Sequence, residues 1–290
     1  MTSEARGMPL QAPVDAPTPS RMTELGKRVL STIVLVPIFV WILIGGPAWL
    51  FTLMIVGVGM LANWEFTRMF HRAGVPVLRE AGLLWGGLVT LAFVRPDRAG
   101  AAFAIVVLGL LAASLDRGAA GPARWQRVAV TLLGVCYVNW LLGHAISLRA
   151  LPDGVHWVLL LVWVTCIGET AAYTVGSLLG RHKLAPGISP GKTVEGATAQ
   201  LAASLLAALT AGGWLFPGLR LRDALAVGVL LGVLGQAGDL VESALKRSVG
   251  TKDTGHVIPG HGGILDRIDG FLFNAPVLFY YATFGRAWSA

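Results

Sequence analysis

An all-α polytopic membrane fold of about nine transmembrane helices is predicted from three observations. The 290 residues are 54% hydrophobic and only 13% charged, whereas soluble domains carry roughly 25% charged residues. Mean hydropathy is +0.66. Apolar windows recur from residue 29 to residue 284, several of them near the roughly 20 residues that cross a bilayer as a helix.

Residues 1–26 are rich in Pro, Ser, Thr and Ala and lack apolar periodicity, which predicts a disordered cytoplasmic tail. The windows that follow are 29–44, 47–62, 81–94, 100–115, 128–148, 156–179, 193–215, 224–245 and 270–284. Only Gly45-Gly46 separates the first two, so they form a tight helical hairpin. Asn63-Trp64-Glu65 closes the second window and reads as interfacial anchoring. No fixed-period repeat and no separate soluble domain is visible. The expected organisation is N-terminal transmembrane helices over 27–155 and a catalytic transmembrane region over 156–290. Cys136 and Cys166 fall inside apolar runs with no Cys or His at ligand spacing, which predicts two small packed residues.

Orientation follows from Lys and Arg. With the N-terminus inside, the tail and the loops 63–80, 116–127, 180–192 and 246–269 hold 17 of the 23 basic residues. Arg95, Arg98, Arg149, Arg220, Arg222 and Arg286 lie outside. This asymmetry predicts a multi-pass protein of the cell (inner or plasma) membrane, N-terminus in and C-terminus out. The formal charge of +7 is spread over short loops and gives no nucleic-acid-binding face.

The chemistry concentrates where charge interrupts the last apolar runs, since a charge inside a bilayer costs several kcal/mol and marks function by default. Asp239, Glu242, Ser243 and Lys246 stand at i, i+3, i+4 and i+7, one face of a helix at its cytoplasmic end. A Glu242–Lys246 ladder alone would leave Asp239, one turn deeper, without a partner. The connector 250–263 carries Lys252, Asp253, His261, Gly262 and Gly263; its glycines let backbone N–H groups approach phosphate oxygens. Asp266, Arg267 and Asp269 open the last window, with Asp266 and Asp269 on one face. Arg247 and Arg267 offer guanidinium forks and Lys252 a point charge. Carboxylates from two helix ends, Asp239 and Asp266, can grip a cation, and Mg²⁺ favours one or two carboxylates plus phosphates. Upstream, Glu169 lies within a span, and Ser189, Lys192, Thr193 and Glu195 follow a basic loop. Lys192-Thr193 ends like a P-loop, but the upstream glycines and strand are missing, which excludes a Walker fold.

The run Ser243-x-Leu245-Lys246-Arg247-x4-Lys252-Asp253-x-Gly255-x2-Ile258-Pro259-x-His261-Gly262-Gly263-Ile264-x-Asp266-Arg267-Ile268-Asp269 resembles the signature of phosphatidate cytidylyltransferases (CDP-diacylglycerol synthases). The resemblance extends upstream to Leu184-Ala185-Pro186-x-Ile188-Ser189-Pro190-x-Lys192-Thr193-x-Glu195-Gly196, so motifs cover roughly the C-terminal 130 residues. It implies transfer of CMP from CTP to phosphatidic acid, with Mg²⁺ at Asp239 and Asp266 and room for a second metal or a monovalent cation. The catalytic set is then Asp239, Lys246, Arg247, Lys252, Asp253, Asp266, Arg267 and Asp269. Tyr173, Ser189, Lys192, Thr193, Glu195, Ser243, His261, Gly262 and Gly263 are expected to bind substrate. The family also suggests a homodimer. Where it carries Asp in an Asp-x-x-Ala-Tyr run, this chain has Glu169, which keeps the charge and moves it by one methylene. Another CTP-dependent lipid enzyme is the nearest alternative. The CDP-alcohol phosphotransferase pattern is absent. A transporter would place charges near span centres in both halves, but here the acidic cluster is C-terminal.

Overall fold

The computed structural model describes residues 21–115, 121–255, 257 and 262–285. In chain order these form α1 (Arg21–Ile44), α2 (Ala48–Arg72), α3 (Arg79–Ala92), α4 (Pro96–Ala113) and α5 (Pro122–Gly134). A π-helical segment, Val135–Trp140, joins α5 to α6 (Leu141–Ala150), and α7 (Gly154–Leu179) follows. Strands β1 (Lys183–Ala185) and β2 (Ser189–Thr193) precede α8 (Val194–Trp214), α9 (Leu221–Ser248) and α10 (Leu265–Tyr280).

Each predicted apolar window overlaps helix, the fifth running through α5, the π segment and α6, and the last continuing past α10 into a second π-helical turn, Tyr281–Gly285. Six helical segments are long and apolar enough to cross a bilayer: Ala48–Arg72, Pro96–Ala113, the continuous rod Pro122–Ala150, Gly154–Leu179, Val194–Trp214 and Leu221–Ser248. A shorter apolar stretch, Ile33–Ile44, ends α1. The helix starts follow local chemistry. Pro96 and Pro122 occupy first-turn positions, where a missing N–H costs nothing. Thr193 caps α8 by accepting the Gly196 N–H at 3.1 Å. α1 begins at Arg21, and residues 1–20 of the predicted tail lie outside the described residues.

The all-α polytopic fold class holds, with one addition: the segment before α8 contains a short antiparallel hairpin pairing Lys183 with Thr193 and Ala185 with Ser189. Its turn closes when the Ile188 N–H donates to the Ala185 carbonyl at 3.1 Å, with Pro186 presetting the second turn position. The cysteines are free, as expected, but they are not both packed inside: Cys136 is half-buried and Cys166 is exposed on α7. An apolar run in a membrane protein faces lipid as readily as core.

In the N-terminal half, polar side chains hold the helices together. Asn63 Nδ2 on α2 donates to Asn139 Oδ1 on the π segment, and Asn139 Nδ2 donates to Thr90 Oγ1 on α3 at 3.1 Å. Such bonds add modest attraction between helices that lipid cannot drive together by hydrophobicity. In the C-terminal half, small residues do this work. A Cβ on Gly228 would lie 2.7 Å from Leu205 Cα of α8, and one on Gly238 would lie 2.6 Å from the Asp269 carbonyl of α10. The second approach positions the site, because it brings the charged end of α9 against the first turns of α10.

Candidate active site

Glycine closes α9 and turns the chain back over its own charged face. Gly250 adopts φ +70°, and Thr251 N–H donates to Lys246 O at 3.0 Å while Gly250 N–H donates to Arg247 O at 3.1 Å. This is the paired C-terminal stop that a left-handed glycine permits. Lys246 is thereby fixed between two carboxylates, with Nζ 2.6 Å from Glu242 Oε2 and 2.8 Å from Asp266 Oδ1. Asp266 Oδ2 accepts from Thr254 Oγ1 at 2.9 Å, from Thr254 N at 3.2 Å and from Gly263 N at 3.2 Å.

One turn deeper, Asp239 Oδ2 lies 2.8 Å from Nζ of Lys192 on β2. Burial pushes the Lys192 ammonium below its ordinary pKa, and the Asp239 charge partly offsets that. Asp239, Glu242 and Asp269 each place a carboxylate oxygen within 4.8 Å of the others. Glu242 Oε1 is buried and receives no hydrogen bond. Three hard oxygen donors at this spacing suit a divalent cation. Asp269 Oδ1 accepts the Gly270 N–H at 2.9 Å.

Two cavities converge here. One, of about 390 Å³, lies along α9 and α10 and is lined by Ser243, Lys246, Arg247, Lys252, Asp253, Gly262, Asp266, Arg267 and Asp269, among others. The second, of about 370 Å³, lies between α7, the hairpin, α8 and α9, with Tyr173, Lys192, Thr193, Gln200 and Gln236 in its wall. Glu169, Ser189 and Asp239 line both.

Most of the predicted residues therefore line one or other of two cavities that share three wall residues, while Gly263 lines neither and instead donates its N–H to Asp266. Glu195 does not line either cavity; its carboxylate accepts from Arg181 N–H at 3.1 Å and contacts His182 Nδ1 at 2.6 Å, tying the hairpin base to α8. The Thr193 hydroxyl serves as the α8 cap described above. His261 lies outside the described residues. Glu242 belongs to the polar stripe the sequence shows, and the structure gives it both the ion pair with Lys246 and a place in the carboxylate cluster. Glu169, which stands where the family carries Asp, has a buried Oε1 with which a Cβ on Gly270 would collide.

Residues 26–284 match the cytidylyltransferase family. A phosphatidate cytidylyltransferase of Staphylococcus haemolyticus is 32% identical over 269 residues, covering 87% of this chain and 96% of that protein. Another of that name, from Staphylococcus saprophyticus, is 42% identical over 153 residues, 52% of this chain and 57% of the relative. The uncharacterized protein YnbB of Escherichia coli is 41% identical over 152 residues, 52% of this chain and 50% of its own.

Proposed function

The chain belongs to the cytidylyltransferase family, and from that premise we infer that it transfers CMP from CTP to phosphatidic acid, releasing CDP-diacylglycerol and pyrophosphate. The observation that carries the inference is that a charged cavity and a more apolar one share Glu169, Ser189 and Asp239 in their walls. Joining two phosphorylated substrates requires two anion sites with a common edge, held so that the reacting atoms meet.

The α9–α10 cavity suits the triphosphate. Lys246, Arg247, Lys252 and Arg267 line it, and ammonium and guanidinium groups match phosphate oxygens. The other cavity suits the lipid head group. Lys192 supplies charge there, Ala172, Gly176, Gly196 and Ala197 leave space for glycerol, and exposed Tyr173 marks the bilayer side. A phosphate monoester with a second pKa of about 6 is already an oxyanion at neutral pH and needs little base help. Its oxygen attacks the α-phosphorus of CTP in line, forming one P–O bond as the bond to the β-phosphate's bridging oxygen breaks. Lys192 and Lys246 exchange carboxylate for phosphate as the substrates arrive.

We assign Asp239 from α9 and Asp266 from α10 as the metal pair, with Glu242 and Asp269 completing an oxygen donor set for Mg²⁺. A second metal or a monovalent cation fits the number of carboxylates. Bound Mg²⁺ supplies the charge neutralisation that lets two polyanions approach. We also assign nine crossings on the nine apolar windows, with the N-terminus in and the C-terminus out on the Lys/Arg asymmetry. Both cavities then open to the cytoplasm, with residues 27–155 as support and 156–290 carrying the chemistry. A homodimer is the assembly the family resemblance suggests.

A lipid-exchange assay tests the substrate. Purified protein in mixed micelles should convert CTP with phosphatidic acid, stop on addition of EDTA and recover with excess Mg²⁺. Turnover with a polyprenyl phosphate or an ether-linked analogue, and none with phosphatidic acid, would overturn the lipid assignment.

A further inference from the structure

Glu65 lies on α2, far in sequence from every residue of the site, yet it is fully buried beneath the signature loop. Its Oε2 accepts the Leu265 N–H at 2.9 Å and lies 3.3 Å from Thr254 Oγ1. Leu265 is the first residue of α10, and the preceding Ile264 offers no side-chain cap. A carboxylate at that point satisfies an orphan amide and complements the positive end of the helix. The Thr254 hydroxyl has one proton to give, and its shorter contact is to Asp266 Oδ2 at 2.9 Å. Asp266 in turn holds Lys246. The backbone has closed over Glu65 at two glycines: a Cβ on Gly255 would collide with Glu65 Oε1, and one on Gly263 would lie 2.8 Å from Oε2.

We propose that Glu65 is a positioning residue for CMP transfer, supplying from the N-terminal half the cap that fixes the first turn of α10 and, with Thr254, the orientation of Asp266 and Lys246. This role rests on assigning the α9–α10 cavity as the reaction site. It makes the N-terminal helices part of the catalytic machinery through one carboxylate. A group that orients a metal or phosphate ligand from behind commonly affects activity by about 10–100-fold.

The test compares Glu65→Ala, Glu65→Gln and Thr254→Val in purified full-length protein, reading kcat, KM for both substrates, and hydrogen exchange at the Leu265 amide. Glu65→Ala should lower kcat by about 10²-fold, leave both KM values within about 2-fold, and speed exchange at Leu265. Glu65→Gln keeps a carbonyl acceptor for that amide, so it should restore slow exchange and most of kcat. Thr254→Val keeps the shape and removes a donor to Asp266, so it should lower kcat by about 10-fold with Leu265 still protected. If Glu65→Ala does not fold, the other two variants decide. Unchanged kcat in Glu65→Ala or Thr254→Val, equal loss in the Ala and Gln variants, or unchanged Leu265 exchange in Glu65→Ala would overturn the proposal. Absence of CMP transfer by the unsubstituted protein would overturn the reaction instead, and the exchange measurement would still decide whether Glu65 caps α10.

Discussion

Asp239→Asn should lower CMP transfer by about 10³-fold, the scale of losing one electrostatic contact made to the transition state. The same substitution should lower stability by about 1–2 kcal/mol, between the cost of an exposed and of a buried pair, because the Asp239 side chain is 41% exposed while its Lys192 partner is only 15% exposed. Asn matches Asp in shape and can still accept a hydrogen bond from Lys192. The difference is charge at the point where both cavities meet. The half-saturating Mg²⁺ concentration should rise as well. Steady-state kinetics across a Mg²⁺ series, with a thermal unfolding curve in the same detergent, read both quantities. Near-normal turnover would remove Asp239 from the metal site.

Lys246→Met should act the opposite way, on stability first. Lys246 stands between Glu242 and Asp266, and the Lys246 and Glu242 side chains are only 14% and 2% exposed. Removing the ammonium leaves two carboxylates facing each other, and breaking a buried pair on one side costs about 3–5 kcal/mol. Adding Glu242→Gln removes one of the stranded charges and should recover most of the stability. It should not recover activity, because the phosphate contact proposed for Lys246 is still missing. Unfolding measurements on the single and double variants check the sign. A double variant less stable than Lys246→Met alone would contradict the pairing.

Much of the site was legible because helical spacing projects directly into space. Asp239, Glu242 and Lys246 share the face their i, i+3, i+7 pattern predicts, and Asp266 stands in the first turn of α10 with Asp269 one turn further along. Lys192 beside Asp239 was not legible. It depends on a hairpin whose strands, Lys183–Ala185 and Ser189–Thr193, are too short to show a two-residue period. Glu65 was read as an interfacial residue because Asn63-Trp64-Glu65 suits a headgroup region equally well. Only the packing of α2 beneath the 254–265 segment reveals a partner 200 residues away. Cys166 shows the limit from the other side: hydropathy marks residues that avoid water but does not say whether lipid or protein covers them.

The most direct measurement of the central claim follows the phosphorus atoms of CTP. Purified protein, phosphatidic acid and Mg²⁺ would be incubated in parallel with α-labelled and γ-labelled CTP, and the lipid and water-soluble fractions counted. Attack at the α-phosphorus predicts α-label in the lipid and γ-label in pyrophosphate, one pyrophosphate for each CDP-diacylglycerol. Label from the γ-position in the lipid, or no label in lipid from well-folded protein, would contradict it.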